Sequence, residues 1–287
     1  MQFRVRARDN AQNLEAWPAS ADTTTVLYTW GISGVTTDNR SAPVTGVAVT
    51  TTPAALHVQA SDEYGSYAAH VTAQSASYTA AWSKAGYGGL PQTTYPSTPD
   101  ALINLVLPPA DNWVQNPGFE TGNFGPAWQT TGSPAPVVTT VARHSGQYGA
   151  LLQATGGAAS PDTQPIGLTM IVQQMVVPSG ATAPTLSFAY WQTLPSPSAG
   201  DGFEVEVEAG GNTTTVFETA VDTNGWRYQW VDLSSWSGQS ITVRFRLSRV
   251  SAGSASVTID EVTAGSAYPD LWVKGVAGAA PAGALLH

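Results

Sequence analysis

The chain has 287 residues, a formal net charge of −9, 11% charged residues and no cysteine. Only 11 Lys and Arg are spread over the whole length, which argues against nucleic acid or an anionic membrane surface as a partner. Without cysteine there are no disulfide staples, thiolate zinc sites or thiol nucleophiles.

The length calls for two or three compact units, each with its own core. The 28 Gly and 20 Pro fall between short runs rich in Thr, Ser, Ala and Val, which predicts an all-β protein. The longest apolar run, IGLTMIVQQMVVP at 166–178, is broken by Gln173 and Gln174 and is too short to cross a bilayer. The first residues carry charge and lack an apolar h-region. No signal peptide is therefore expected, and the chain reads as a soluble, interior piece of a longer protein.

Residues 2–8 alternate, Phe3, Val5 and Ala7 on one face and Arg4, Arg6 and Arg8 on the other, the period of a half-buried strand. A second strand is expected in TTTVLYTW at 23–30. The pair, spanning 1–33, resembles the last hairpin of a fibronectin type III domain. Two strands alone are marginal in water, so this hairpin is expected to lean on the next unit or on another chain.

Residues 34–110 read as short strands at 44–52, 55–60, 66–72 and 77–83, with turns at 62–65 and 84–86. The motifs carried by Gly46, Val47 and Val49, by Ser61, Asp62, Gly65 and Tyr67, by Tyr78 and Thr79, and by Lys84, Gly86 and Tyr87 resemble the carboxypeptidase regulatory-like domain. That resemblance implies a seven-stranded, transthyretin-like sandwich with Tyr67 and Tyr78 in its core, serving as a spacer rather than a peptidase. LPPADNW at 107–113 then ends a strand and stiffens the junction, so the next domain is placed at 111–267.

Nine strands are expected in 111–267, separated mostly by Gly, Pro, Ser or Asn. The landmarks NPGFETG, Trp128, HSGQYGA, TLSFAYW, VDLSSWSG and VTIDEV, in that order, resemble the galactose-binding-like jelly rolls, which include many carbohydrate-binding modules. The resemblance implies that Phe119 and Trp128 plug the end of the sandwich. It also implies a structural Ca²⁺ held by Glu120 and Asp260 with Ser145 and Tyr148 contributing oxygens. The alternative is that the two carboxylates accept backbone N–H bonds as turn formers.

Strand parity nominates a ligand surface. In LSFAYWQT the core side is Leu186, Phe188 and Tyr190, which turns Ser187, Ala189 and Trp191 outward. In WRYQWVDL, Val231 and Leu233 face in and Trp226, Tyr228, Trp230 and Asp232 out; in ITVRFRLS, Arg244 and Arg246 face out. Bare indoles beside hydrogen-bonding side chains suit a neutral sugar, so Trp191, Tyr228 and Trp230 with Arg244 or Arg246 form the expected platform. Against this, Glu204, Glu206 and Glu208 alternate outward and could ladder with the two arginines.

No catalytic constellation emerges. There is no nucleophile elbow, zincin or Walker motif, and His57, His70, His144 and His287 are scattered.

The predicted architecture is all-β: two β-sandwich domains in tandem, a seven-stranded transthyretin-like one and a jelly roll, with orphan strands at both ends. Residues 268–287 form a linker and the first strand of a further domain. The expected role is non-enzymatic and extracellular or cell-surface: adhesion to, or targeting of, a polysaccharide. The rival expectation is a structural spacer or filament subunit that self-associates by exchanging its edge strands.

Overall fold

A computed structural model describes residues 2–3, 23–24, 30–55, 57–71, 77–96, 101–157 and 167–267. Within these the chain is all-β, built as sandwiches, with one short 3₁₀ turn at Ser234–Trp236. Strands β1 (Gln2–Phe3) and β2 (Thr23–Thr24) pair antiparallel. The other residues of 1–29 lie outside the described residues. So does the strand expected within 268–287, and with it the strand-exchange expectation.

The first sandwich contains β3 (Trp30–Thr37), β4 (Ala48–Thr52), β5 (His57–Gln59), β6 (Ser66–Val71), β7 (Ser77–Ser83), β8 (Thr93–Pro96), β9 (Ala101–Leu102) and β10 (Leu105–Val106). One sheet runs β10-β3-β6-β5, with β9 also on β3, and the other runs β4-β7-β8. Alternation sets the core: Tyr78, Ala80 and Trp82 of β7 face Ile32, Tyr67, Ala69 and Leu105 from the opposite sheet.

Two features depart from the sequence reading. Strand β3 straddles the boundary expected between 33 and 34, and it forms the middle of its sheet. The strand expected to end at the LPPADNW junction is only the two-residue β10, and both it and the equally short β9 before it run parallel to β3.

The second sandwich packs two five-stranded antiparallel sheets. The first comprises β11 (Gln129–Gly132), β14 (Leu168–Val176), β19 (Ser240–Ser248), β16 (Gly202–Ala209) and β17 (Asn212–Thr219), in that order. The second comprises β12 (Val137–Thr139), β13 (Gly149–Gly156), β20 (Gly253–Ser266), β15 (Pro184–Thr193) and β18 (Arg227–Asp232). Phe188 lies 5.1 Å edge-on to Phe245 across the middle, within a core that includes Leu152, Ile171, Leu186, Phe203 and Val243.

Phe119 and Trp128, both buried, stand 5.5 Å apart at one end of that core. The broken NPGFETG stretch is what lets them arrive there. Asn116 and Phe119 take positive φ, Asn116 Nδ2 donates to Thr121 Oγ1 and to the Asn123 carbonyl, and Trp128 Nε1 donates back to the Asn116 carbonyl at 3.2 Å.

The two sandwiches are docked. The connecting run is strapped to β20, with Ala264 N donating to Asn112 Oδ1 and Ser266 N to Asp111 Oδ1, both at 3.0 Å. Gly265 lies so close to Pro109 that a Cβ there would fall 2.4 Å from its Cγ. From the first sandwich, Arg40 donates to Thr185 Oγ1 at 2.7 Å and to the Ala183 carbonyl at 3.2 Å. Thr93 Oγ1 accepts from Gly146 N at 2.6 Å. The face of β15, β18 and β20 that points away from their own core is thereby covered along much of its length.

Candidate functional site: a cleft between the sandwiches

Strand parity on β15 is as the sequence implies, but what lies over it is not solvent. Ser187 and Ala189 point outward and are still buried, at 0% and 2% exposed, because the first sandwich lies over them. Trp191, one step further along, escapes at 43%. Between the two sandwiches opens a cleft of about 480 Å³. Thr37, Ser41 and Asn104 supply polar groups from one side and His144, Trp226 and Tyr228 line the other.

The aromatic wall is a contiguous set. Trp226 packs edge-on to His144 at 5.1 Å and to Trp191 at 6.3 Å, so the exposed Trp191 ring extends the wall out of the cleft. The Tyr228 hydroxyl is buried and makes no hydrogen bond. Ser187 on the neighbouring strand is engaged with Thr263 at 2.6 Å. Burial pushes the Tyr228 phenol well above its ordinary value, so the group keeps its proton and remains a donor.

Trp230, 37% exposed, continues the row along β18. One face of its ring is taken by Arg40, whose guanidinium carbon sits 5.1 Å from the ring centroid and whose Nη2 lies 3.5 Å from Asp232.

Arg244 and Arg246 do not join this wall. They belong to β19, in the opposite sheet, and point off the other side of the molecule. There Arg246 pairs with Glu204 at 2.8 Å and Glu206 at 3.6 Å, and Arg244 pairs with Glu208. The platform expected from parity thus divides into an aromatic cleft and a separate charge ladder. Parity says which side chains share a face of one strand, but two sheets back to back have two outer faces.

The two carboxylates expected to hold Ca²⁺ accept hydrogen bonds from backbone N–H groups. Glu120 Oε1 accepts from Gln147 N at 3.0 Å and Tyr148 N at 3.1 Å, and Asp260 Oδ2 accepts from His144 N at 2.7 Å and Ser145 N at 3.0 Å. Asp260 Oδ1 accepts from Glu261 N at 2.7 Å. The HSGQYGA turn wraps so tightly around Glu120 that a Cβ on Gly146, at φ +64, would lie 2.2 Å from its Oε1.

Among the described residues no trio of His, Cys, Asp or Glu gathers to hold a cation. As arranged, the Glu120 and Asp260 carboxylates fix the turn that carries Ser145 and Tyr148, the arrangement of the turn-former alternative.

The sequence reading missed a buried pair behind the cleft. His144 Nδ1 stands 3.2 Å from Glu261 Oε2, at ion-pair distance but off the line of a hydrogen bond. Burial pulls His144 down, and the Glu261 and Asp260 carboxylates push it up by more, so its net shift is upward. Burial, with Glu261 beside it, also lifts Asp260 well above the usual carboxylate range despite its backbone N–H bonds.

Glu261 sits at a bulge. Ser187 and Ala189 of β15 oppose Thr263 and Asp260 of β20, so β20 carries an extra residue there, and Glu261 adopts φ +50. The adjacent acids in VTIDEV, which break that strand's alternation, were the available signal.

No family model matches the chain, and no curated protein matches it. Similar solved structures include TmCBM61 in complex with β-1,4-galactotriose, 20% identical, covering 55% of this chain and all of that one, with a TM-score of 0.41. Another is the C-terminal family 22 carbohydrate-binding module of Clostridium thermocellum Xyn10B, 14% identical, covering 56% of this chain and 98% of that one, with a TM-score of 0.38. A third is the K1 cleaved adhesin domain of Lys-gingipain from Porphyromonas gingivalis W83, 17% identical, covering 53% and 96%, TM-score 0.38. At these identities and TM-scores the likenesses assign no ligand and no residue role to this chain.

Proposed function

We propose that this chain is a non-catalytic carbohydrate-binding unit of an extracellular protein, and that the glycan lies in the cleft between the two sandwiches. The observation that carries the reading is the wall of Trp226 and Tyr228 continuing onto the exposed Trp191. Flat rings meet the C–H face of a pyranose while hydroxyls pair with polar groups around it. The buried, unpaired Tyr228 hydroxyl and the side chains of Asn104, Thr37 and Ser41 supply those polar groups.

Binding rather than cleavage is favoured because the described lining of the cleft carries no Asp or Glu, and glycosidic hydrolysis ordinarily needs two flanking carboxylates. A unit of this kind would hold its parent protein against a polysaccharide. In this reading the first sandwich is half of the binding site, a larger role than that of a spacer.

A calorimetric screen of neutral oligosaccharides, including β-1,4-galactan and xylan fragments, tests the proposal. Trp226→Ala should weaken the best ligand by about tenfold to a hundredfold, the usual penalty for losing a central aromatic anchor. A screen in which no glycan binds, or in which Trp226→Ala binds as well as the parent, would remove it.

A further inference from the structure

Beside the glycan cleft lies a second, smaller recess of about 200 Å³, walled by Leu90, Pro91, Pro108 and Pro109 and bounded by Ser145 and Glu261. We propose that this recess is a binding site for a protonated primary amine, with the Glu261 carboxylate as its counter-ion and Ser145 Oγ as its second acceptor. The site is separate from the glycan cleft and does not depend on it.

Three observations carry it. First, Glu261 is 6% exposed and both of its carboxylate oxygens are buried without a hydrogen bond. A buried carboxylate in that state is costly unless something donates to it. The groups around it are His144, off the hydrogen-bond line at 3.2 Å, Asp260 on its own strand, Tyr95 from β8 and Tyr228 from β18. None of them donates to it in a hydrogen bond.

Second, Ser145 is 0% exposed and its Oγ has no partner, although its own N–H is used by Asp260. A hydroxyl without a partner and a carboxylate that has an ion-pair neighbour in His144 but no hydrogen bond bound the same recess. An ammonium group, with three donors and no acceptor, satisfies both.

Third, the chain holds Glu261 there at a backbone cost: the bulge in β20 and its φ of +50 turn this side chain out of the strand's regular alternation. Strain of that kind marks positions where side-chain placement matters. The apolar walls then select what carries the charge. The volume is that of about six or seven water-sized groups, and its lining is mainly apolar, with Leu90, Val106 and four prolines beside Asn112 and Thr263. A short alkylammonium fits that description.

n-Butylamine is the probe, with n-butanol as its uncharged match, both titrated into the whole chain and followed by NMR shifts. Butylammonium is expected to saturate, with shifts at Ser145, Glu261 and Leu90, and butanol to bind about tenfold more weakly or not at all. Glu261→Gln should lose the preference for the charged probe, with folding checked by its melting curve. If that variant does not fold, Ser145→Ala, which removes one acceptor and little volume, should weaken butylamine by several-fold.

Competition arms name the source. Displacement by glucosamine and not by N-acetylglucosamine points to an amino sugar. Displacement by Nα-acetyl-lysine amide points to a protein side chain, and displacement by neither to free alkylamines. Equal binding of butylamine and butanol, shifts confined to other surfaces, or no saturation would overturn the assignment.

Discussion

The two outer faces of the second sandwich are written in the same alphabet and end in opposite conditions. On the β16–β19 face, Glu204, Glu206 and Glu208 alternate with core residues and meet Arg244 and Arg246 across the strands. Every one of these five charges has an opposite charge within the same sheet. On the β15–β18–β20 face the outward residues that lie under the first sandwich include Ser187, Ala189, Tyr228 and Glu261, while Trp191 and Trp230 stay exposed. Several polar atoms of the covered residues are left without partners. A sheet face that satisfies itself needs nothing further, whereas donors and acceptors left unpaired under cover stay available to a partner.

The seam that creates this contrast can be broken most severely at Gly265. Gly265→Val would drive a side chain into Pro109, already 2.4 Å from the position of a Cβ. Overpacking of this sort costs about 1–3 kcal/mol, so thermal unfolding should move to clearly lower temperature, with glycan affinity falling alongside it. A Gly265→Val variant that melts and binds like the parent would mean the two sandwiches are not tightly docked.

Arginines on the two faces should then behave unequally. Arg40→Ala removes two hydrogen bonds, the contact with Trp230 and the ion pair to Asp232, and is expected to cost about 1–2 kcal/mol. Arg246→Ala removes a partly exposed rung of the ladder and is expected to cost about 0–1 kcal/mol. Denaturant melts of the two variants side by side give the ranking directly, and the reverse order would contradict the picture of a docked seam.

A smaller effect should follow pH. His144 and Asp260 both have folded pKa values above their ordinary ones, so both favour protonation in the folded state. For His144 the stability it contributes is fully present below its unfolded value near 6.5 and is lost as pH rises through the higher folded value. Melting temperature should therefore decline from mildly acidic to mildly alkaline solution, and His144→Gln should flatten that slope. A slope unchanged in the variant would assign the effect elsewhere.

Much of this architecture was legible in the sequence wherever alternation was clean. The inward set Ile241, Val243, Phe245 and Leu247, all buried, could be read from β19. So could the burial of Phe119 and Trp128, which the resemblance of NPGFETG to the galactose-binding-like jelly rolls implied. Strand β3 was not legible, because WGISGVTT mixes two glycines with Ser and Thr and shows no strict two-residue period.

The cleft was half legible. Parity turned Trp226, Tyr228 and Trp191 the same way, yet period-2 patterning cannot say whether solvent or another sandwich stands beyond an outward residue. The role of Glu261 was hidden for a related reason: a bulge shifts parity by one residue, and only the opposing strand reveals where the extra residue falls.

Footprinting by hydroxyl radicals, with and without the tightest glycan from the screen, tests the central claim most directly because it locates the ligand without any substitution. The cleft account predicts protection of Trp191 and Trp226, with the β19 ladder around Arg244 and Arg246 labelled equally in both samples. Protection on the ladder side, or a bound glycan that leaves both tryptophans as reactive as before, would contradict it.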